Sequence, residues 1–229
     1  MFGSTLVYSG LVIAAAGVIF VIKPVERLHV TSRSQGLAIV GMGLLLAGIG
    51  FMAPASEKRV DKVEKRLDEF VPVWQFSERH TIEIDAPPER VFDAIKRVRG
   101  DEISFFQTLT WIRRGGRSVP ESILNAGSRE SLIDVAVKSG FVRLAEDPPR
   151  ELVIGIPLTP QVFGALDFVV TPAGLNSSSV STETRVFASS PAAQRRFAIY
   201  WRTIYPGSAL IRRMWLRAVR RRATTAGKP

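Results

Sequence analysis

The pattern of apolar and polar positions divides the chain into a very apolar beginning and a mixed remainder. Two stretches, Phe2 to Ile22 and Gly36 to Ala55, contain no Asp, Glu, Lys or Arg. At about 1.5 Å rise per residue, a helix of either length crosses a hydrocarbon core of roughly 30 Å. Small residues recur in both stretches at intervals of three and four, which allows two helix backbones to approach closely in lipid. The pattern predicts a transmembrane helical hairpin over residues 1–55.

The alternatives for these stretches are a pair of buried core helices or a cleaved signal peptide. A signal peptide begins with a basic region, but nothing basic precedes Lys23, and a second apolar stretch follows soon after it. The turn between the two stretches carries three Lys or Arg residues, and the segment directly after the second stretch carries five. The positive-inside rule therefore predicts an integral protein of the inner or plasma membrane, with both termini and the C-terminal domain in the cytoplasm.

After the hairpin, the spacing at which apolar residues recur along the chain changes twice. Apolar residues from Val60 to Phe70 recur every three or four positions, which predicts an amphipathic linker helix within residues 56–75. From Phe76 the period is two, and the alternation over His80–Asp85 predicts a strand. The prolines at Pro87 and Pro88 favour the start of a helix.

Six further strands are predicted as three antiparallel hairpins. Their ranges are Thr108–Arg113 with Arg117–Asn125, Phe141–Ala145 with Glu151–Ile156, and Ala165–Thr171 with Ser179–Ala188. Arg129–Ser139 reads as a helix, although its apolar residues also fit a strand. A long helix is predicted from Pro191 to the C-terminal region, with a kink or break at Pro206.

The amino-acid composition excludes several kinds of functional site. The 229 residues include no Cys and two His, which excludes a disulfide framework and a thiolate zinc site and disfavours a histidine metal cluster. We therefore expect no metal and no cofactor. The sequence contains no phosphate-binding loop and no nucleophile elbow, and no pair of residues stands out as a general acid and base. His80 has no evident Asp or Ser partner, so it reads as a structural residue.

The formal charge of +10 is concentrated at the end of the chain, where eleven Lys and Arg residues and no acidic residue follow Glu183. This basic set reads either as a solvated face or as a surface for anionic lipid. Nucleic acid is disfavoured because apolar residues alternate with the arginines, as in a packing helix. The residues predicted to meet the membrane surface are Arg212, Arg213, Arg217, Arg220 and Arg221.

Two segments resemble a known superfamily. His80–Ile95 resembles the opening strand and helix of the START-like, Bet v 1-like and polyketide cyclase (SRPBCC) superfamily, and Phe197–Ser208 resembles the closing helix of a bacterial subgroup. The resemblance implies an α+β helix-grip fold over residues 76–229, with a curved seven-stranded antiparallel sheet around a long C-terminal helix. It also implies a cavity for a hydrophobic small molecule or lipid, but no single reaction, because its members include carriers, sensors, regulators and enzymes.

Alternating apolar positions suggest which residues line that cavity, although each could also be ordinary core. The candidates are Trp111, Leu152, Ile154, Leu166, Phe168, Val170 and Trp201. The leading hypothesis is a membrane-anchored module that binds, senses or transfers a hydrophobic small molecule or lipid, which favours a non-enzymatic role over an enzymatic one. The alternatives are a polyketide cyclase or dehydratase-type enzyme and a non-enzymatic membrane-surface interaction protein with a collapsed cavity. The sequence does not indicate the oligomeric state.

Overall fold

The computed structural model describes residues 2–119, 122–127 and 129–225. Its helices are α1 Phe2–Ile22, α2 Arg33–Met52, α3 Arg66–Phe70, α4 Pro88–Arg97, α5 Phe106–Arg113, α6 Leu132–Lys138 and α7 Pro191–Thr225. Its strands are β1 Lys58–Arg59, β2 Val73–Trp74, β3 Phe76–Ile84, β4 Val142–Asp147, β5 Glu151–Thr159, β6 Val162–Gly174 and β7 Ser177–Ala188. The chain forms two compact units. A hairpin unit contains the chain up to Ser56 and Pro191–Tyr205, and a sheet unit contains Glu57–Ser190 and the chain from Pro206 onward.

In the hairpin unit, α1 and α2 pack through their small residues. A Cβ atom added to Gly43 would lie 2.4 Å from the main-chain nitrogen of Ala14, and one added to Gly10 would lie 2.5 Å from that of Ala47. Large apolar side chains such as Leu45 and Ile19 point outward and are about two-thirds exposed, at 66% and 60%. Both helices are long and apolar enough to cross a membrane.

Arg202 of α7 fixes the first part of that helix to the hairpin. Its guanidinium donates hydrogen bonds of 2.6 Å to the main-chain carbonyls of Phe51 and Ala53, at the C-terminal end of α2. Those carbonyls have no partner within an α-helix and carry the negative end of its dipole, so a cation is favourable there. The Tyr8 hydroxyl of α1 donates to the carbonyl of Arg202. Arg202 therefore joins three helices.

The sheet unit is built on five antiparallel strands in the order β3-β7-β6-β5-β4. Directly paired residues share a face, so Leu152 and Phe168 point to the same side, as do Ile154 and Leu166. This face packs against the second part of α7, where Trp215 is 2% exposed. We call it the concave face and the opposite face of the sheet the convex face. The architecture is α+β, with a five-stranded antiparallel sheet, a long C-terminal helix and two apolar N-terminal helices.

The structure corrects four sequence-based predictions. The strand predicted at Thr108–Arg113 lies in α5, because Phe106 and Thr110, four residues apart, are both buried on one side of a helix. Within Arg117–Asn125 the described residues form no strand, so the seven-stranded sheet has five strands here. The predicted linker helix is limited to α3, and α7 stays helical through Pro206 without a break.

The segment predicted as a linker instead covers the convex face of the sheet through a buried ion network. Lys65 Nζ lies 2.7 Å from both Asp167 Oδ2 and Glu183 Oε2. Arg185 pairs with Glu183 at 2.7 Å and with Asp68 at 2.8 Å. Lys65 and Asp68 belong to the covering segment, whereas the other three residues belong to the sheet. The network therefore attaches this segment to β6 and β7.

Asp167 makes the stability of this network depend on pH. Burial raises the pKa of Asp167 from 3.8 to about 6, although Lys65 opposes the rise. The native state then binds the proton more tightly than the unfolded chain, so this stabilising contribution is lost as pH rises from about 4 to about 6. The Asp167→Asn side chain is neutral at every pH in this range, so its contribution to stability does not fall as pH rises. We expect the variant to gain up to about 3 kcal/mol relative to the natural chain between pH 4 and 7.

Chemical denaturation of the full chain in detergent, followed by tryptophan fluorescence at several pH values, measures this difference. Asp61→Asn is the control, since Asp61 is exposed. A difference in unfolding free energy between Asp167→Asn and the natural chain that stays constant from pH 4 to 7 would contradict the account.

Candidate functional site

A polar pair lies on the concave face of the sheet, opposite α7. Glu78 and His80 are two residues apart in β3, so both side chains point to the same face. Glu78 pairs across the sheet with Thr184, and His80 pairs with Thr182. Across the sheet, Thr184 pairs in turn with Leu166, which pairs with Ile154. In the neighbouring row, Thr182 pairs with Phe168, which pairs with Leu152. The concave face is thus apolar on β5 and β6, and Glu78 and His80 add a polar pair to it on β3.

The Glu78–His80 pair is held by hydrogen bonds on both of its residues. His80 Nε2 lies 2.6 Å from Glu78 Oε1, and Ser208 Oγ of α7 donates to Glu78 Oε2 at 3.0 Å. Arg213 Nε donates to His80 Nδ1 at 3.5 Å, so Nδ1 is the acceptor and Nε2 is left to donate to Glu78. Glu78 is 2% exposed. A carboxylate and an imidazole in contact on a buried face are the groups that acid and base catalysis uses.

Arg212 brings a positive charge to the same region. Its side chain is half-buried, and its guanidinium carbon lies 5.6 Å from the ring centre of Trp215. Burial lowers the pKa of Arg212, the charge of Glu78 raises it and the charge of Arg113 lowers it further. An arginine remains protonated at neutral pH even so, so Arg212 contributes a positive charge on this side of the sheet.

Two buried polar atoms near this pair have no hydrogen-bond partner among the residues that the structure describes. They are Trp215 Nε1 and Thr184 Oγ1. Thr184 stands directly opposite Glu78, and Trp215 packs edge-on against Phe168 with ring centres 4.9 Å apart. A buried donor without a partner costs about 1–3 kcal/mol, so each atom is available to a polar group of a bound molecule.

The structure brings together five of the seven predicted lining residues. They share the buried concave face and are Leu152, Ile154, Leu166, Phe168 and Val170. Trp111 lies on α5, and its side chain is 55% exposed. Trp201 belongs to the hairpin unit, where its ring is next to those of Phe197 and Tyr205. The predicted group of seven is therefore divided among three places.

The predicted basic surface of α7 is only partly exposed. Arg213, Arg217, Arg220 and Arg221 are exposed, whereas Arg212 is half-buried and faces Glu78. Arg221 Nη2 donates to the carbonyl of Glu102 at 2.5 Å, and Arg222 binds the Glu102 carboxylate. Contact between this set and lipid stays a prediction.

The sequence interpretation missed Glu78 as the partner of His80. The available signal was their spacing of two within a strand, which places both on one face. Glu78 lies before the alternating segment His80–Asp85 from which the strand was predicted, and β3 begins four residues earlier, at Phe76. The contributions of Ser208 and Arg213 come from a helix about 130 residues later.

No family model matches the chain, and no curated protein matches it. Solved structures with a similar chain path include a conserved protein from Geobacillus kaustophilus, at 13% identity and a TM-score of 0.37, covering 66% of this chain and 97% of that one. A norcoclaurine synthase point mutant from Thalictrum flavum, in complex with a transition state analogue, matches at 9% identity and a TM-score of 0.39, covering 67% and 96%. An NMR structure from Thermobifida fusca matches at 15% identity and 0.35, covering 66% and 95%. TM-scores this low do not indicate a shared function.

Proposed function

We propose that the α1–α2 hairpin anchors the chain in the inner or plasma membrane, with both termini and the sheet unit in the cytoplasm. The hairpin buries small residues and exposes large apolar ones, which is the arrangement that suits a lipid surrounding. A core helix of a soluble protein would bury its large side chains instead. The five basic residues after α2, against three in the turn, support the orientation.

The proposed role of the sheet unit is to bind, sense or transfer a hydrophobic small molecule or lipid between the concave face and α7. The observation that carries this proposal is the Nε1 of Trp215, which is buried against an apolar surface and has no hydrogen-bond partner among the described residues. An amphipathic ligand would place its apolar body against Phe168 and Leu152, and its oxygen would accept from Nε1. Polar groups placed on an apolar lining are typical of small-molecule sites.

The packing limits how such a ligand enters. The five concave-face residues Leu152, Ile154, Leu166, Phe168 and Val170 are each at most 3% exposed, so a ligand has to displace side chains that are already packed. Ile82 and Ile211 border the core and are only partly buried. Entry between β3 and α7 displaces the least packed part of the core.

The test uses the full chain, purified in detergent, with native mass spectrometry and solvent extraction of bound molecules. Trp215→Phe keeps an aromatic ring and removes the donor, so we expect ligand affinity to fall roughly fivefold to tenfold. Trp74→Phe is the matched control, because Trp74 Nε1 is also buried and finds no partner in the described part of the chain, but it lies beside Arg185 on the convex face. Equal ligand content in the two variants would contradict the proposed contact.

Two alternatives keep specific support. The Glu78–His80 contact favours an enzyme of the cyclase or dehydratase type, and extracted molecules that differ between the natural chain and Glu78→Gln would support it. The close packing of the concave face favours a membrane-surface interaction protein with a collapsed interior. No ligand in the extract and no uptake of added lipid would favour that second alternative.

A further inference from the structure

A groove of about 400 Å³ lies within the hairpin unit, where α2 ends and α7 begins. One wall is the last turn of α2 and the residues after it, from Phe51 to Ala55, and the other is formed by the first turns of α7. This volume is in the range of small-molecule sites. It is separate from the concave face described above, because all of its lining residues belong to the hairpin unit.

The groove combines an apolar wall with polar donors. Phe51, Met52 and Ile199 supply apolar surface, and Gln194 and Arg195 supply nitrogen donors. Arg202 occupies the carbonyls of Phe51 and Ala53, and none of the residues that line the groove is acidic. Arg195 is therefore the charged group that an incoming molecule meets.

We propose that this groove binds the headgroup of an anionic phospholipid from the leaflet in which α2 ends. The proposal rests on the proposed membrane anchoring, since α2 then places the groove at the level of the headgroups. The phosphate accepts from the Arg195 guanidinium, and the upper part of an acyl chain lies against Met52 and Ile199, which are 87% and 53% exposed. The cytoplasmic leaflet is the one that is rich in anionic lipid.

The experiment measures lipid binding to the full chain by native mass spectrometry in detergent, with phosphatidylglycerol and phosphatidylcholine as probes. We expect one phosphatidylglycerol to bind in preference to phosphatidylcholine. Arg195→Gln is expected to weaken that binding about tenfold, as for the loss of a hydrogen bond to a charged group. Arg196→Gln is the matched control, because Arg196 is the adjacent exposed arginine and does not line the groove.

Equal effects of the two substitutions, or equal binding of the two lipids, would overturn the proposal. Inorganic phosphate that binds without lipid and with the same dependence on Arg195 would assign the groove to a soluble anion and also overturn it. Carbonate extraction of membranes separates this outcome from failure of the anchoring. Natural protein that stays in the pellet but shows no lipid preference disproves the groove proposal alone, whereas release from the membranes disproves the anchoring.

Discussion

Lys65→Met should lower the free energy of unfolding by about 3–5 kcal/mol, because it leaves buried carboxylates without their shared cation. Lys65 contacts Asp167 and Glu183 at 2.7 Å each, and the Asp167 side chain is fully buried. Glu183 keeps Arg185 as a partner, so most of the loss arises at Asp167. Methionine has a similar length and retains the apolar contacts of the lysine stem, which limits the change to the charge.

The loss should become smaller at low pH and in a double variant. Lys65 lowers the pKa of Asp167, so without it this carboxyl binds a proton at a higher pH than in the natural chain, and protonation removes the unpaired charge. Lys65→Met combined with Asp167→Asn removes both charges at every pH, so we expect it to recover part of the lost stability. Denaturation of the full chain in detergent, followed by tryptophan fluorescence, gives these values.

Lys62→Met is the control for this series, because Lys62 lies three residues earlier and is exposed. We expect it to change the unfolding free energy by less than about 0.5 kcal/mol. A loss of under about 1 kcal/mol for Lys65→Met would show that the covering segment is held by packing of Leu67 and Val71 on the sheet and not by the ion network.

Gly43→Leu should separate α1 from α2, because no side chain fits between the two backbones at that point. Even a Cβ atom at Gly43 would lie 2.4 Å from Ala14 N and 2.6 Å from Gly10 O, both of which are main-chain atoms. Main-chain atoms of a helix cannot rotate away, so the helices have to move apart. Overpacking of this kind costs about 3 kcal/mol or more, which lowers the melting temperature by about 10 °C.

Gly41→Leu is the matched control in the same helix. A Cβ atom at Gly41 meets nothing within 4 Å, so leucine there points outward and leaves the packing intact. Both substitutions increase the apolarity of α2 equally, and both variants should pellet with membranes. Heating in detergent followed by size-exclusion chromatography compares their stabilities. Equal melting temperatures would show that the small residues do not form the contact between α1 and α2.

The parts of the fold that the sequence predicted well depend on local pattern. The apolar stretch Phe2–Ile22 predicted α1 with the same bounds, and alternation in β5 and β6 predicted which residues share the buried face. Prolines at Pro87 and Pro88 correctly indicated the start of α4. In each case neighbouring residues in the chain carry the information, because helix and strand periods relate positions that are close in sequence.

The predictions that were wrong concern segments whose structure is decided by contacts with distant residues. The segment containing Trp111 alternates like a strand, but α5 forms because Phe106 and Thr110 are both buried on one side. The residues before Trp74 have a helical period, yet only Arg66–Phe70 form a helix. Lys65 there finds Asp167 and Glu183, which are more than 100 residues away. Tertiary contacts outweigh local preference where the two disagree.

The amino-acid sequence by itself determined that this protein has two helices suited to a membrane, a strand and helix order with a long final helix, and a basic end. These follow from composition and period, which need no knowledge of distant contacts. The tertiary structure alone decided that Glu78 and His80 meet Ser208 and Arg213, that Arg202 closes the end of α2, and that a groove opens beside Arg195. Each of these arrangements joins residues more than 100 positions apart, and only the folded chain specifies which of them come into contact.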